Sequence, residues 1–280
     1  MKTGNVARLV AVVVGLFAVL LSNAAMAEND AERFRALYEK EWVFRMQEFP
    51  VQASSLGHAD QAARLRRVAE ADQLRRHAFW IGIRAELETI SCERLGREDC
   101  INYRIFRRQM DDFIAAYETR AYRIPFNSDW GFYMAWARLP RETQFNNADD
   151  YRNYLSRLHE LPAVMDEYIA LMRAGLETGM TQPRVVLDGR DAPIRAQVVD
   201  AVEDSPFFAP FVDLPESVAG GARGELLDTA RRVVGADVIP AFRRLQTFFE
   251  DEYLPGARST LAATELPGGA RFYAAQIRRY

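Results

Sequence analysis

Apolar residues recur at helical spacing along nearly the whole chain, and no alternating polar and apolar run is long enough to build a strand. That pattern confines the polypeptide to helices packed on helices. Phe34, Leu37, Tyr38, Trp42, Met46 and Phe49 form a first stripe, which Pro50 ends. Leu65 to Ile90 is a second helix. Ile101 to Tyr122 is a third, with Phe106, Met110, Phe113 and Tyr117 on one side and Arg104, Arg107, Arg108, Asp111 and Asp112 largely on the other. Asp149 to Gly179 is a fourth, kinked or divided by Pro162. Glu225 to Tyr253 is a fifth, with Pro240 inside it. Arg271 to Tyr280 opens a last amphipathic helix with Phe272, Tyr273, Gln276 and Ile277 at helical spacing, and no stop signal follows. The expected fold is all-α, built of long antiparallel helices joined by aromatic-rich loops.

Three connections are richer than plain turns. Arg123 to Phe145 carries Phe126, Trp130, Phe132, Tyr133 and Trp136, an aromatic density that anchors a loop into a core or forms a binding surface, the anchor being the commoner outcome. Gln182 to Pro215 contains Ser205-Pro206-Phe207-Phe208. Ala219 to Gly224 lacks the spacing of a phosphate-cradling loop and is expected to be a flexible link.

The first 27 residues have the parts of a secretory signal: basic Lys2 and Arg8, an apolar run from Leu9 to Leu21, and small residues at Ala25-Met26-Ala27. The apolar run falls short of the roughly 20 residues that a spanning helix needs, and no Cys follows it as a lipid anchor would require. Removal after Ala27 implies a periplasmic or secreted protein with no remaining membrane segment, running from Glu28 to Tyr280. It would carry 34 basic and 39 acidic residues, net −5. The arginine pairs are spread among acids along helices and do not concentrate on one face, which excludes a nucleic-acid partner. Cys92 and Cys100 enclose a short polar connection. An oxidising compartment permits a disulfide there, with two buried thiols as the alternative.

No recognisable catalytic constellation is present. His159-Glu160 begins a zinc-helix pattern, but Ala163 occupies the place of the second imidazole and Pro162 disturbs the helix. Ser217 lacks both glycines of a nucleophile elbow, and neither it nor Ser54-Ser55 has an assignable His and acid.

Several blocks resemble a known family. In order they are Phe49-Pro50 with Ala53 to Gly57, Ile101 to Gln109, Ile124 to Asn127, Gly179 to Leu187, Ser205 to Phe207, Val238 to Leu245, and Glu252 to Arg258 with Leu266-Pro267-Gly268-Gly269 and Phe272-Tyr273. Together they resemble the bacterial domain of unknown function 885. The resemblance implies a largely helical, incomplete zincin-like architecture, similar to zinc metallopeptidases about twice as long whose metal-binding helix lies in a second half. Residues 28–280 would then be the N-terminal helical part, truncated at its C-terminal end. Zinc is implied for the full-length family, but no residue here matches a ligand or the catalytic glutamate, so no cofactor is assigned to this chain.

What the resemblance leaves to this segment is scaffold and cleft wall, inactive alone, with a peptide substrate or the absent C-terminal half as partner. Arg123, Asn127, Trp130, Tyr133, Arg184 and Tyr273 are the candidate substrate contacts, as polar or aromatic groups in or beside the connecting segments. A stand-alone periplasmic helical module that binds a peptide or a protein is the alternative.

Overall fold

The structure is a computed structural model that describes residues 28–127, 129–218 and 221–279. The expected secretory segment, 1–27, lies outside them, as do Ser128, Ala219, Gly220 and Tyr280. The described chain is all-α. Its helices are α1 (28–48), α2 (Pro50–Ser55), α3 (Glu70–Glu88), α4 (Arg97–Glu118), α5 (Phe132–Glu142), α6 (Ala148–Thr178), α7 (Ala192–Arg195), α8 (Gly221–Val233), α9 (Ile239–Phe248), α10 (Leu254–Gly256) and α11 (Gly269–Arg279). Among the described residues there is no strand, only isolated bridges at Phe126–Gly131 and Pro183–Arg258, and no helix long and apolar enough to cross a membrane.

The chain divides into two units, one comprising residues up to Phe44 with His77–Ile114, the other Arg45–Arg76 with Ala115 onwards. In the first, α1 and α4 each run antiparallel to α3. Lys40 reaches Glu86 at 2.7 Å, Phe44 stacks on Phe79 at 3.6 Å, Trp80 stacks on Phe113 at 4.4 Å, and the Tyr103 hydroxyl donates to the Leu87 carbonyl at 3.1 Å. At the α3–α4 connection Cys92 and Cys100 are joined, with Cα atoms 5.0 Å apart. Buried Asp30 accepts from Arg94 at 2.8 Å and from the Ser91 backbone at 3.3 Å.

The second unit is organised by α6, whose start is a capping box: Asn147 accepts from the backbones of Asp149 and Asp150, and Asp150 answers to the Asn147 N–H. Gly179, at φ +73°, ends the helix in the left-handed conformation that suits glycine. Between these signals α6 is continuous through Pro162 and is not divided there. The proline sacrifices one hydrogen bond, and fully buried Leu158, Leu161 and Met165 hold the turn in place.

One edge of α6 also sets where α3 begins. Periodicity places the helix start at Leu65, but α3 starts at Glu70, because the Leu65 and Val68 N–H groups donate instead to Glu160 at 2.7 Å and Glu167 at 2.8 Å. Those glutamates stand seven residues apart on α6 and pin 65–68 as extended chain.

On its other flank α6 packs against α8 and α9. His159 meets Asp237 at 2.8 Å, Asp166 meets Arg244 at 3.1 Å, and Arg173 meets Glu252 at 2.6 Å. Both series ascend together, so this pair runs parallel rather than antiparallel, with residues 179–220 carrying the chain back to the start of α8. The sign of charge reverses between the Asp166–Arg244 and Arg173–Glu252 pairs, which disfavours a slipped register.

From Gly221 to Gly256 the chain is one helical run interrupted by two wide turns, Val234–Val238 and Phe249–Tyr253, in which Ile239 and Leu254 donate five residues back to Val234 and Phe249. Pro240 and Pro255 follow immediately. Proline has no N–H and its ring crowds the carbonyl four residues earlier, here Ala236 and Asp251, each within a wide turn. The widening accommodates that crowding and lets the helix continue. It also adds one residue, which is why Glu252 rather than Asp251 reaches Arg173. Residues 221–224, expected to be a link, are the first turn of α8.

Candidate functional site

The six candidate contact residues fall around the C-terminal end of α6 and the loops near it, and most are occupied in holding those loops. Arg123 closes a short 3-10 turn, Ala121–Arg123. Its guanidinium reaches the Ala174 carbonyl at 3.5 Å, the Thr178 hydroxyl at 3.4 Å and the Glu70 carboxylate at 3.5 Å, with the side chain 15% exposed. It therefore satisfies carbonyls at the end of α6, where a cation also complements the helix dipole.

Asn127 is the clasp of a tight loop. Its side-chain oxygen accepts from the Asp129 N–H at 2.8 Å and the Trp130 N–H at 2.7 Å, and its own N–H donates to the Trp130 carbonyl at 2.7 Å. Trp130 itself is 46% exposed at the tip. Among the described hydrogen bonds and ion pairs, only Asn127 and Trp130 join two of the six.

Behind that loop, α5 occupies residues expected to be connection. Phe126, Phe132 and Tyr133 are buried, Phe132 stacks on Tyr168 at 4.0 Å, and the Tyr133 hydroxyl donates to the Arg190 carbonyl at 3.3 Å. Burial pushes the Tyr133 phenol above its ordinary pKa. These rings anchor the segment, and Trp130 is what remains on the surface.

Arg184 is exposed, and its backbone N–H donates to the Arg258 carbonyl at 2.8 Å. The organising group there is Arg258, whose guanidinium donates to the carbonyls of Thr181 at 3.0 Å, Thr260 at 2.7 Å and Ala262 at 3.0 Å. Tyr273 lies half-exposed on α11, which is seated by Gly268 and Gly269. Gly268 has φ +69°, and a Cβ at Gly269 would stand 2.4 Å from the Ala263 carbonyl oxygen, so the Pro-Gly-Gly block is required by backbone approach.

A cleft of about 560 Å³ lies along the α6–α9 seam over Pro240 and Phe248. Its rim is the ladder already described: Arg173 and Arg244 are committed to Glu252 and Asp166. The hydrogen bond to Glu252 holds the Arg173 pKa up and the Glu252 pKa down. Thr247 is the only hydroxyl in its lining, with no imidazole beside it, so the cleft holds no nucleophile and base. The ladder itself is invisible in single-helix reading. Its trace is the seven-residue spacing of His159, Asp166 and Arg173 against Asp237, Arg244 and Glu252, spaced by seven and then by eight.

A metal is no better served. His159 and Asp237 offer two ligand groups where a zinc site needs at least three, and among the described residues no group of three or more His, Cys, Asp or Glu converges.

Residues 50–280 match the family described as "Bacterial protein of unknown function (DUF885)". The chain belongs to DUF885. Its fold is also that of a crystal structure described as the "putative lipoprotein from Colwellia psychrerythraea", with a TM-score of 0.74 and 16% sequence identity. The likeness covers 90% of this DUF885 chain and 46% of that neighbour, so this chain spans about half the neighbour's length. At such identity the likeness establishes the fold alone. No curated protein sequence matches.

Proposed function

We propose that this DUF885 chain is the scaffold and substrate-cleft segment of an exported zinc metallopeptidase-like hydrolase, with the metal-binding groups supplied by residues outside it. The observation that carries this reading is the family match over residues 50–280, on a helical scaffold in which, among the described residues, no donor set converges. The 46% coverage of the structural neighbour supports it from a second direction, and the word lipoprotein in that neighbour's description accords with a place outside the cytoplasm, as does the signal-like start of the sequence. In this role Trp130 and Tyr273 present rings to an extended peptide, while Arg123, Asn127, Arg184 and Tyr133 hold the loops that carry them.

The test is equilibrium dialysis of the purified protein against zinc together with a peptidase assay. The reading expects neither one bound zinc per chain nor zinc-dependent cleavage. Stoichiometric, chelator-sensitive zinc with peptide hydrolysis would contradict it. Cell fractionation tests export separately, with recovery in the cytoplasm as the contrary result.

A further inference from the structure

A buried guanidinium is satisfied when oxygens converge on it, a rule that Arg157 meets fully and that Arg84, Arg123 and Arg190, each with one buried nitrogen lacking a hydrogen bond, meet in part. Arg157, 5% exposed, donates from Nε to the Arg64 carbonyl at 3.1 Å and from Nη2 to the Pro50 carbonyl, the Ser54 hydroxyl and the Gln61 carbonyl at 3.3, 2.6 and 3.2 Å. Two arginines nearby in sequence break that rule. Arg76 is 1% exposed and uses only Nη1, toward Glu48 and the Arg67 carbonyl, both at 3.0 Å, which leaves Nε and Nη2 buried without a partner. Arg66 lies 4.3 Å over the Phe49 ring and makes no hydrogen bond, and its buried Nε is also without a partner.

The charge balance points the same way. Glu48 is shared between Arg75 and Arg76, and Arg75 takes Asp72 as well, so Arg66 has no carboxylate of its own. Burial, then repulsion from Arg76, depresses the Arg66 pKa to about 10. The carboxylates of Glu48 and Asp72 offset that only in part, since both are already bonded to other arginines. Tyr168 borders this group, next to Glu167 that holds Arg67 and the Val68 N–H, and its ring is flanked by Phe132 and by Trp136 at 5.5 Å. Arg66 and Tyr168 are partly exposed at the edge of this group, whose unpartnered nitrogens are themselves covered.

We propose that Arg66, Arg76 and Tyr168 form a binding site for a small oxyanion, a carboxylate being the best match to the forked donors and the aromatic flank. Arginine presents parallel N–H groups at carboxylate spacing, and the rings beside them offer apolar cover to whatever the carboxylate is attached to. The site is independent of any peptidase role, since it needs only the residues named.

The experiment measures the thermal midpoint of the purified protein in acetate, benzoate, phosphate and chloride at matched ionic strength. A peptide with a free C-terminal carboxylate is compared with its amide to separate a peptide end from a free acid. A ligand that binds only the folded state raises the midpoint with concentration, so carboxylates are expected to raise it by several degrees over chloride, benzoate more than acetate. Arg66→Met is the informative variant because Arg66 holds no hydrogen bond. It should raise the midpoint in chloride, by removing an uncompensated charge, and abolish the carboxylate response. Tyr168→Phe should leave the fold intact and weaken binding several-fold. Equal midpoints in all four salts, or an Arg66→Met protein that keeps the carboxylate response, would overturn the proposal. Chloride matching benzoate would mean ionic screening only and would overturn it equally.

Discussion

Arg157 and the Arg66–Arg76 pair bury the same chemical group on opposite terms. Around Arg157 the backbone of 50–64 brings its carbonyls to the guanidinium and leaves no buried donor over. Around Arg66 and Arg76 the nearby carboxylates are already bonded to arginines, Glu48 to Arg75 and Arg76 and Asp72 to Arg75, and three buried guanidinium nitrogens have no hydrogen-bond partner. The lesson is that burial of a cation is structural where oxygens converge on it and reserves room for a ligand where they do not.

The largest break of that comparison is Arg157→Met. It strips several charge-assisted hydrogen bonds at once and strands buried carbonyls, and we expect a loss of about 3–5 kcal/mol in a denaturant titration. Arg66→Met, equally a lost buried arginine, should lose nothing. If the two variants fell equally, the distinction between satisfied and unsatisfied sites would fail.

Glu48→Gln probes the same pocket from the anion side. It leaves Arg76 buried beside Arg75 with no charge partner, at a cost of about 3 kcal/mol. Acid does this reversibly. Burial alone would raise the Glu48 pKa, but hydrogen bonds from Arg75 and Arg76 outweigh it and hold the group below its ordinary value. The stabilisation is therefore intact above the ordinary glutamate pKa of about 4.3 and lost as pH falls through the lower folded-state value. A melt series should show that acid decline in the wild type and a shallower one in Glu48→Gln.

A smaller effect is expected at Asn127→Ala, which opens the clasp over Trp130 and should cost about 1 kcal/mol by analogy with other side-chain caps of backbone N–H groups. Faster proteolytic nicking near Trp130 would accompany it. Smallest is the α6–α9 ladder. A double-mutant cycle on Arg173 and Glu252, both about half-exposed, should return a coupling of about 0.2–1 kcal/mol that shrinks with added salt. A coupling of several kcal/mol would show that the exposed ladder behaves like the buried clusters.

The helices were largely legible because their apolar stripes are long: the third and fourth stripes correspond to α4 and α6 with ends displaced by only a few residues. The start of α3 was not legible, since Leu65 and Val68 give up helical bonds to glutamates nearly a hundred residues away. Nor was α5, because Phe132, Tyr133 and Trp136 read as a loop's anchors. Of the candidate contacts, the structural duties of Asn127 and Arg123 depend on tertiary partners. Arg66 and Arg76 looked like members of solvated arginine pairs, and only the absence of acceptors around them sets them apart.

The most direct measurement is a crystal structure of the protein grown with benzoate at neutral pH. The account requires a carboxylate within hydrogen-bond distance of both Arg66 and Arg76, its ring lying against Tyr168. Buried water or protein oxygens satisfying Arg76 Nε and Nη2, with no carboxylate present, would contradict it.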